Sequence, residues 1–142
     1  MTAALPYSEI VKVRFSDTDS QGHLYFANYL VYADEVAGSY MEELGFSAMN
    51  PIDAPCFIFT VNVKCDYLDE CKAFDEVRVK VGYSRLGNSS ADLAFELYRA
   101  RDNVQLAKGS LTQVFVDKTS RKASAIPESF REAIILRQPR LG

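Results

Sequence analysis

Two aspartates, Asp17 and Asp19, stand in the segment Ser16–Gly22 (SDTDSQG), whose residues favour turns and helix caps. An apolar stretch with helical spacing begins shortly after, so the two acids lead into the start of a helix. A helix N-terminus carries unpaired backbone N–H groups and a partial positive charge. Such groups bind an oxyanion or polarise a carbonyl. A carboxylate held beside them can attack that carbonyl or take a proton from water. The residue types and their order therefore describe acyl-transfer chemistry. The same acids also serve as ordinary turn and cap residues, and local chemistry by itself favours that role.

Other chemistries have less material. The chain has one histidine, His23, so a serine triad would depend on it, and no Gly-x-Ser-x-Gly elbow is present. One histidine and no clustered ligands also argue against a metal site. The three cysteines, Cys56, Cys65 and Cys71, are an odd number without a Cys-x-x-Cys pair. They fit a reducing compartment better than a disulfide framework. Lys118, Arg121 and Lys122 form a small basic cluster suited to phosphates, or equally a solvated turn. A net charge of −3 gives no basic face for nucleic acid. No apolar run approaches the roughly 20 residues that span a bilayer. Met1 to Tyr7 lacks a signal-peptide pattern, and the cytoplasm is the simplest location.

The elements that must hold these residues follow from periodicity. Val11, Val13 and Phe15 alternate with Lys12 and Arg14, which predicts a strand over Glu9–Phe15. Tyr29, Tyr32, Ala33, Val36, Tyr40 and Leu44 recur at three- and four-residue steps, which predicts a helix from about Asn28 to Leu44. The tyrosines read as core packing, and Gly45 is placed to end the helix. Met49–Pro55 reads as irregular. Alternation then predicts strands over Phe59–Tyr67, Val77–Tyr83, Ala91–Arg99 and Leu106–Val116. Turn residues make the last three an antiparallel meander. A short terminal helix is expected over Ile126–Leu136. With 142 residues, 48% of them hydrophobic and 25% charged, the chain suits one α+β domain over 1–142. The exposed edges and second face of such a sheet favour self-association.

The stretch Arg14–Leu44 resembles the signature of the 4-hydroxybenzoyl-CoA thioesterase-like branch of the hotdog superfamily. The residues that match are Asp17, Asp19, Gly22, Tyr25, Asn28 and Tyr29, with Asp34 further along the helix. The strand–helix–four-strand order agrees over nearly the whole chain. The resemblance implies the hotdog fold, a five-stranded antiparallel sheet wrapped around one long central helix. It implies an acyl-CoA thioesterase in which Asp19 is nucleophile or general base. The backbone N–H of Phe26 would polarise the thioester carbonyl, and Asp17 would shape the loop. Gly22 would let the loop backbone approach closely, and Tyr25 and Tyr29 would border the substrate.

Two departures stand out. Several relatives carry histidine where this chain has Phe26, and His23 replaces the usual valine or isoleucine. His23 is expected in a structural hydrogen bond, with contact to Asp19 or protonation of the leaving thiolate as catalytic alternatives. Thr60 and Asn62 lie on the polar face of a strand that, in similar enzymes, completes the neighbouring subunit's pocket. A homodimer or homotetramer with interface active sites is expected, with water as co-substrate and no cofactor. Lys118, Arg121 and Lys122 would bind CoA phosphates. The rival readings are a thioesterase acting on acyl carrier protein, a hydratase dependent on His23, and a non-catalytic acyl-CoA-binding module.

Overall fold

The computed structural model describes residues 4–47, 50 and 52–142. Five strands form one antiparallel sheet: β1 (Tyr7–Lys12), β2 (Phe57–Tyr67), β3 (Glu76–Leu86), β4 (Ser90–Arg99) and β5 (Val104–Val116). Their order across the sheet is β1-β3-β4-β5-β2. The meander expected for the last three is present, and β1 and β2 take the two edges. Helix α1 (Phe26–Glu43) connects those edges and packs against β1, β3 and β4. A second helix, α2 (Glu128–Arg137), follows the sheet.

The predicted stripe of α1 is buried at Tyr29, Tyr32, Ala33, Val36 and Tyr40, where Ala37 and Met41 join it, while Leu44 is only half-buried. It meets Val77, Val79, Val81 and Tyr83 of β3 and Leu93, Phe95 and Leu97 of β4 in one core. Each such side chain taken fully from water contributes about 1.5–3 kcal/mol. Gly45, at φ +92°, closes the helix. Its N–H donates to the Glu42 carbonyl (3.0 Å), and the Phe46 N–H donates to that of Met41 (2.9 Å), the paired bonds of a Schellman ending. Phe46 then joins Phe115 and Phe130 in an aromatic cluster under α2.

Most element ends shift by one to three residues from expectation, and two of the shifts bear on the site. The first strand ends at Lys12, and the chain then enters a 3-10 turn, Phe15–Asp17, that leaves Phe15 78% exposed. Alternation continued past the point where backbone pairing with β3 stops, because Val13 is buried but pairs with the loop residues Phe74 and Asp75 instead. Helix α1 starts two residues early, at Phe26. Of the irregular segment Met49–Pro55, Met49 and Pro51 lie outside the described residues.

Candidate active site

Asp17 is 6% exposed. Its carboxylate accepts from the Arg14 guanidinium (3.0 and 3.2 Å), the Arg14 backbone N–H (3.3 Å) and the Tyr32 phenol (2.6 Å). Burial is the largest influence on this group and resists ionisation. The donors together outweigh it and hold the carboxyl pKa below the usual range. The Asp17 carbonyl accepts from the Tyr25 N–H (3.0 Å) and the Asn28 side-chain amide (2.9 Å). Asp17 is thus the hub that fixes the loop to the first two turns of α1.

Asp19 starts the next turn. The Gly22 N–H donates to its carbonyl (3.0 Å), and Gly22 adopts φ +81°. A Cβ at Gly22 would meet nothing within 4 Å, so glycine is required here for its backbone angle and not for close approach. One carboxylate oxygen of Asp19, Oδ1, accepts from the backbone N–H groups of Gln21 (2.9 Å) and His23 (3.3 Å). The other takes no bond from the described residues, which leaves it for water or a carbonyl carbon.

The His23 ring does not reach back to Asp19. Its Nε2 pairs with Glu70 (3.1 Å), across the loop that joins β2 to β3. That contact extends a seam in which the Leu24 N–H donates to the Cys71 carbonyl (2.8 Å). The Cys71 thiol is buried, which pushes its pKa up to about 11 and makes it a poor nucleophile. A polar hollow of about 370 Å³ beside Gly22 and His23 has its arginines already paired, Arg99 with Asp102 and Arg101 with Asp75.

Phe26 opens α1, so its N–H has no intrahelical acceptor. Its ring is exposed, 4.8 Å from that of Tyr25 and edge-on to Tyr67. The Tyr67 phenol donates to the Phe26 carbonyl (3.0 Å), tying β2 to the first turn of the helix. Tyr29 is buried, edge-on to Tyr67, with its phenol on the Asp69 carbonyl (3.3 Å).

Between α1 and β2 runs an apolar groove. One part, about 270 Å³, is lined by Ala37, Met41, Phe57 and Phe59 together with Asp34, Thr60 and Gln113. A shallower part, about 250 Å³, reaches Leu30 and Val31 and shares Asp34 and Thr60. The groove therefore begins one turn from the helix start and follows the helix toward its last turn. Asn62 lies beyond a register shift from Thr60 and lines neither part. Lys118 and Arg121 sit at the far end: Lys118 Nζ contacts the Ile52 carbonyl (3.4 Å), and the Arg121 guanidinium lies 5.1 Å from the Phe57 ring centre. Lys122 is exposed beside them. Among the described residues no group of three metal-ligating side chains occurs, and no helix is long and apolar enough to cross a membrane.

A sequence profile of the thioesterase-like superfamily matches residues 13–134, from the buried Val13 before the aspartate loop to Ile134 in α2. The chain belongs to that superfamily. Members similar to it include a 1,4-dihydroxy-2-naphthoyl-CoA hydrolase of Nostoc punctiforme, 30% identical over 82% of this chain and 78% of that protein. An acyl-CoA thioesterase of Haemophilus influenzae is 27% identical over 89% of this chain and 93% of its own length. A Thermus thermophilus thioesterase, solved with coenzyme A and zinc, superposes with a TM-score of 0.81. It is 26% identical, and the match covers 98% of each chain. The sheet around one long helix is the hotdog fold of these thioesterases. This member of the superfamily is a thioester hydrolase.

Three contributors to the site escaped the sequence reading. Tyr32 fell on the buried stripe and read as packing, although its phenol reaches Asp17. Tyr67 read as one more apolar strand position. Gln113 carried a signal: it occupies an inward position of β5 between the buried Leu111 and Phe115.

Proposed function

We propose that the chain hydrolyses acyl-CoA thioesters, with Asp19 as the carboxylate that attacks the carbonyl carbon or activates water. The observation that carries this reading is the Asp19 carboxylate itself, held through one oxygen by two backbone N–H groups while the other stays open. The Phe26 N–H, at the positive end of α1, polarises the thioester carbonyl. Gly22, Tyr25 and Tyr29 shape the approach to it. The groove along α1 receives the acyl group, and the water that completes hydrolysis enters from the exposed loop. His23 acts through Glu70 as a tether of the loop.

The working form is a homodimer or homotetramer, in the cytoplasm. Strand β2 leaves its outer edge unpaired among the described residues. Phe59, Val61, Val63 and Tyr67 on it are 44%, 59%, 45% and 45% exposed, a pattern an edge strand does not keep open to water. Antiparallel pairing of two β2 edges about a two-fold axis brings the Phe57 end of one copy toward the Tyr67 end of the other. Lys118, Arg121 and Lys122 of one copy then stand near the start of α1 in its partner, suited to the CoA phosphates, while Thr60 faces the groove and Asn62, past the bulge, lies outside it.

The test is thiol release from acyl-CoAs with aryl, short, medium and long aliphatic groups, with Asp19→Asn beside the unaltered protein. Loss of at least ~10²-fold in kcat is expected. Equal rates for both would remove Asp19 from the mechanism. Hydrolysis of acyl carrier protein thioesters alone would replace CoA as the carrier.

A further inference from the structure

The first turn of α1 is held without a side-chain cap. Tyr25 occupies the N-cap position, and its side chain bonds none of the helix N–H groups. A serine or aspartate there would add a competing acceptor beside the N–H that polarises the carbonyl. An uncapped helix end frays, so other atoms must fix the turn. On the loop side, the Tyr25 N–H and the Asn28 side-chain amide donate to the Asp17 carbonyl. On the sheet side, two phenols cross between helix and strand. The Tyr67 hydroxyl, at the end of β2, donates to the Phe26 carbonyl (3.0 Å). The Tyr29 hydroxyl, on the helix, donates to the Asp69 carbonyl just past β2 (3.3 Å). Their rings meet edge-on, with centroids 5.2 Å apart.

The two bonds differ in what they do. Tyr29 is buried and belongs to the core, so it joins α1 to the sheet whether or not its partner phenol is present. The Tyr67 bond lies at the surface, where water competes for both partners and the net contribution to stability is small. Its acceptor, however, belongs to Phe26, whose ring is exposed and gives the residue little other anchorage. The carbonyl and N–H of Phe26 share one Cα, so a fixed carbonyl leaves the N–H only the two dihedrals of that residue. We propose that Tyr67 is a positioning residue that aligns the Phe26 N–H with the thioester carbonyl. The inference rests on the reading of that N–H as the polarising donor. A displacement of ~1 Å in such a group costs up to ~10²-fold in rate. Partial burial and the Cys65 thiol push the Tyr67 pKa up to about 12, so the phenol remains a donor around neutral pH.

The experiment uses Tyr67→Phe, which keeps the ring and removes the hydroxyl, with the best substrate of the acyl-CoA panel. kcat is expected to fall about 10-fold with KM within about twofold, because binding is kept and only alignment is lost. Urea midpoints should hardly move. A second readout observes the carbonyl directly. The same acyl-CoA, isotopically labelled at its carbonyl carbon, is bound to Asp19→Asn and to Asp19→Asn/Tyr67→Phe for infrared difference spectra. The single variant should lower the C=O stretch relative to the free thioester, and the double variant should return it toward the free value. The kinetic arm decides alone where Asp19→Asn still hydrolyses the substrate. Unchanged kcat in Tyr67→Phe, kcat and KM altered together, or the same C=O stretch in both complexes overturns the inference and leaves the thioesterase reading standing. A stretch that Asp19→Asn does not lower removes the Phe26 N–H as donor, and the inference with it. Absence of hydrolysis of every CoA thioester overturns both readings.

Discussion

The Tyr32 phenol lies 2.6 Å from the carboxylate of Asp17, so the second turn of α1 holds the buried end of the loop that carries Asp19. Asp17 is two residues from Asp19, and the Asp17 carbonyl also receives Tyr25 and Asn28. Helix and loop are therefore one mechanical unit. The N–H groups at the start of α1 and the Asp19 carboxylate keep a fixed relation because both are referred to Asp17.

Tyr32→Phe removes that bond and little else. A hydrogen bond to a charged group is worth about 1.5–3 kcal/mol, and Asp17 loses one of the donors that offset its burial. The expected result is a loss of that order in urea unfolding, with kcat falling more than KM changes. Unfolding and kinetics identical to the unaltered protein would show that Arg14 alone holds the loop.

The acid side of the stability profile carries the same signature. The Asp17 pKa is depressed in the folded state, so its contribution is fully present above the unfolded-state value, near 3.9 for a free aspartate. It is lost as pH falls through the depressed folded value. Urea midpoints measured from pH 6 downward should fall less steeply for Asp17→Asn than for the unaltered chain. Asp17→Asn should also be the less stable protein at neutral pH. Parallel curves would mean that other carboxylates set the acid limb.

The core and the strand order β3-β4-β5 could be read from the sequence because one residue in two, or one in three and four, faces the interior. Periodicity carries no information on which strands become edges. Nothing in Phe57–Tyr67 alone places β2 beside β5 at the rim. The aspartate loop was legible through its residue types and its resemblance to related signatures. Its wiring was not, since Tyr32 and Tyr67 donate through phenol oxygens at the tips of rings that read as hydrophobic. The His23 partner was equally hidden: Glu70 is distant in sequence, in a loop without periodicity. Gln113 needed the register of β5 before its amide could be placed in the groove.

The His23–Glu70 contact predicts a small effect. Both side chains are well exposed, at 40% and 64%, and exposed ion pairs contribute about 0–1 kcal/mol. Glu70→Gln and His23→Gln are each expected to keep kcat within about threefold and unfolding midpoints nearly unchanged. A drop of ~10²-fold for His23→Gln with Glu70→Gln unaffected would give the imidazole a direct part in proton transfer to the leaving thiolate.

The β2 edge yields the sharpest prediction about assembly. Val61 and Val63 are the central apolar side chains of the unpaired edge, and both are exposed on the single chain. Replacing both with lysine costs little in an isolated protomer, because neither side chain belongs to the buried core. In a two-fold β2–β2 interface the same change sets four ammonium groups against one another, where like charges facing each other are destabilising. Val61→Lys/Val63→Lys should therefore stay folded by circular dichroism and shift to monomer in sedimentation velocity. Thiol release should fall with the dimer fraction if, as proposed, the partner's basic turn completes each site. A folded monomer with full activity would show that one protomer contains the whole site. A variant that remains dimeric would place the interface on another face of the sheet.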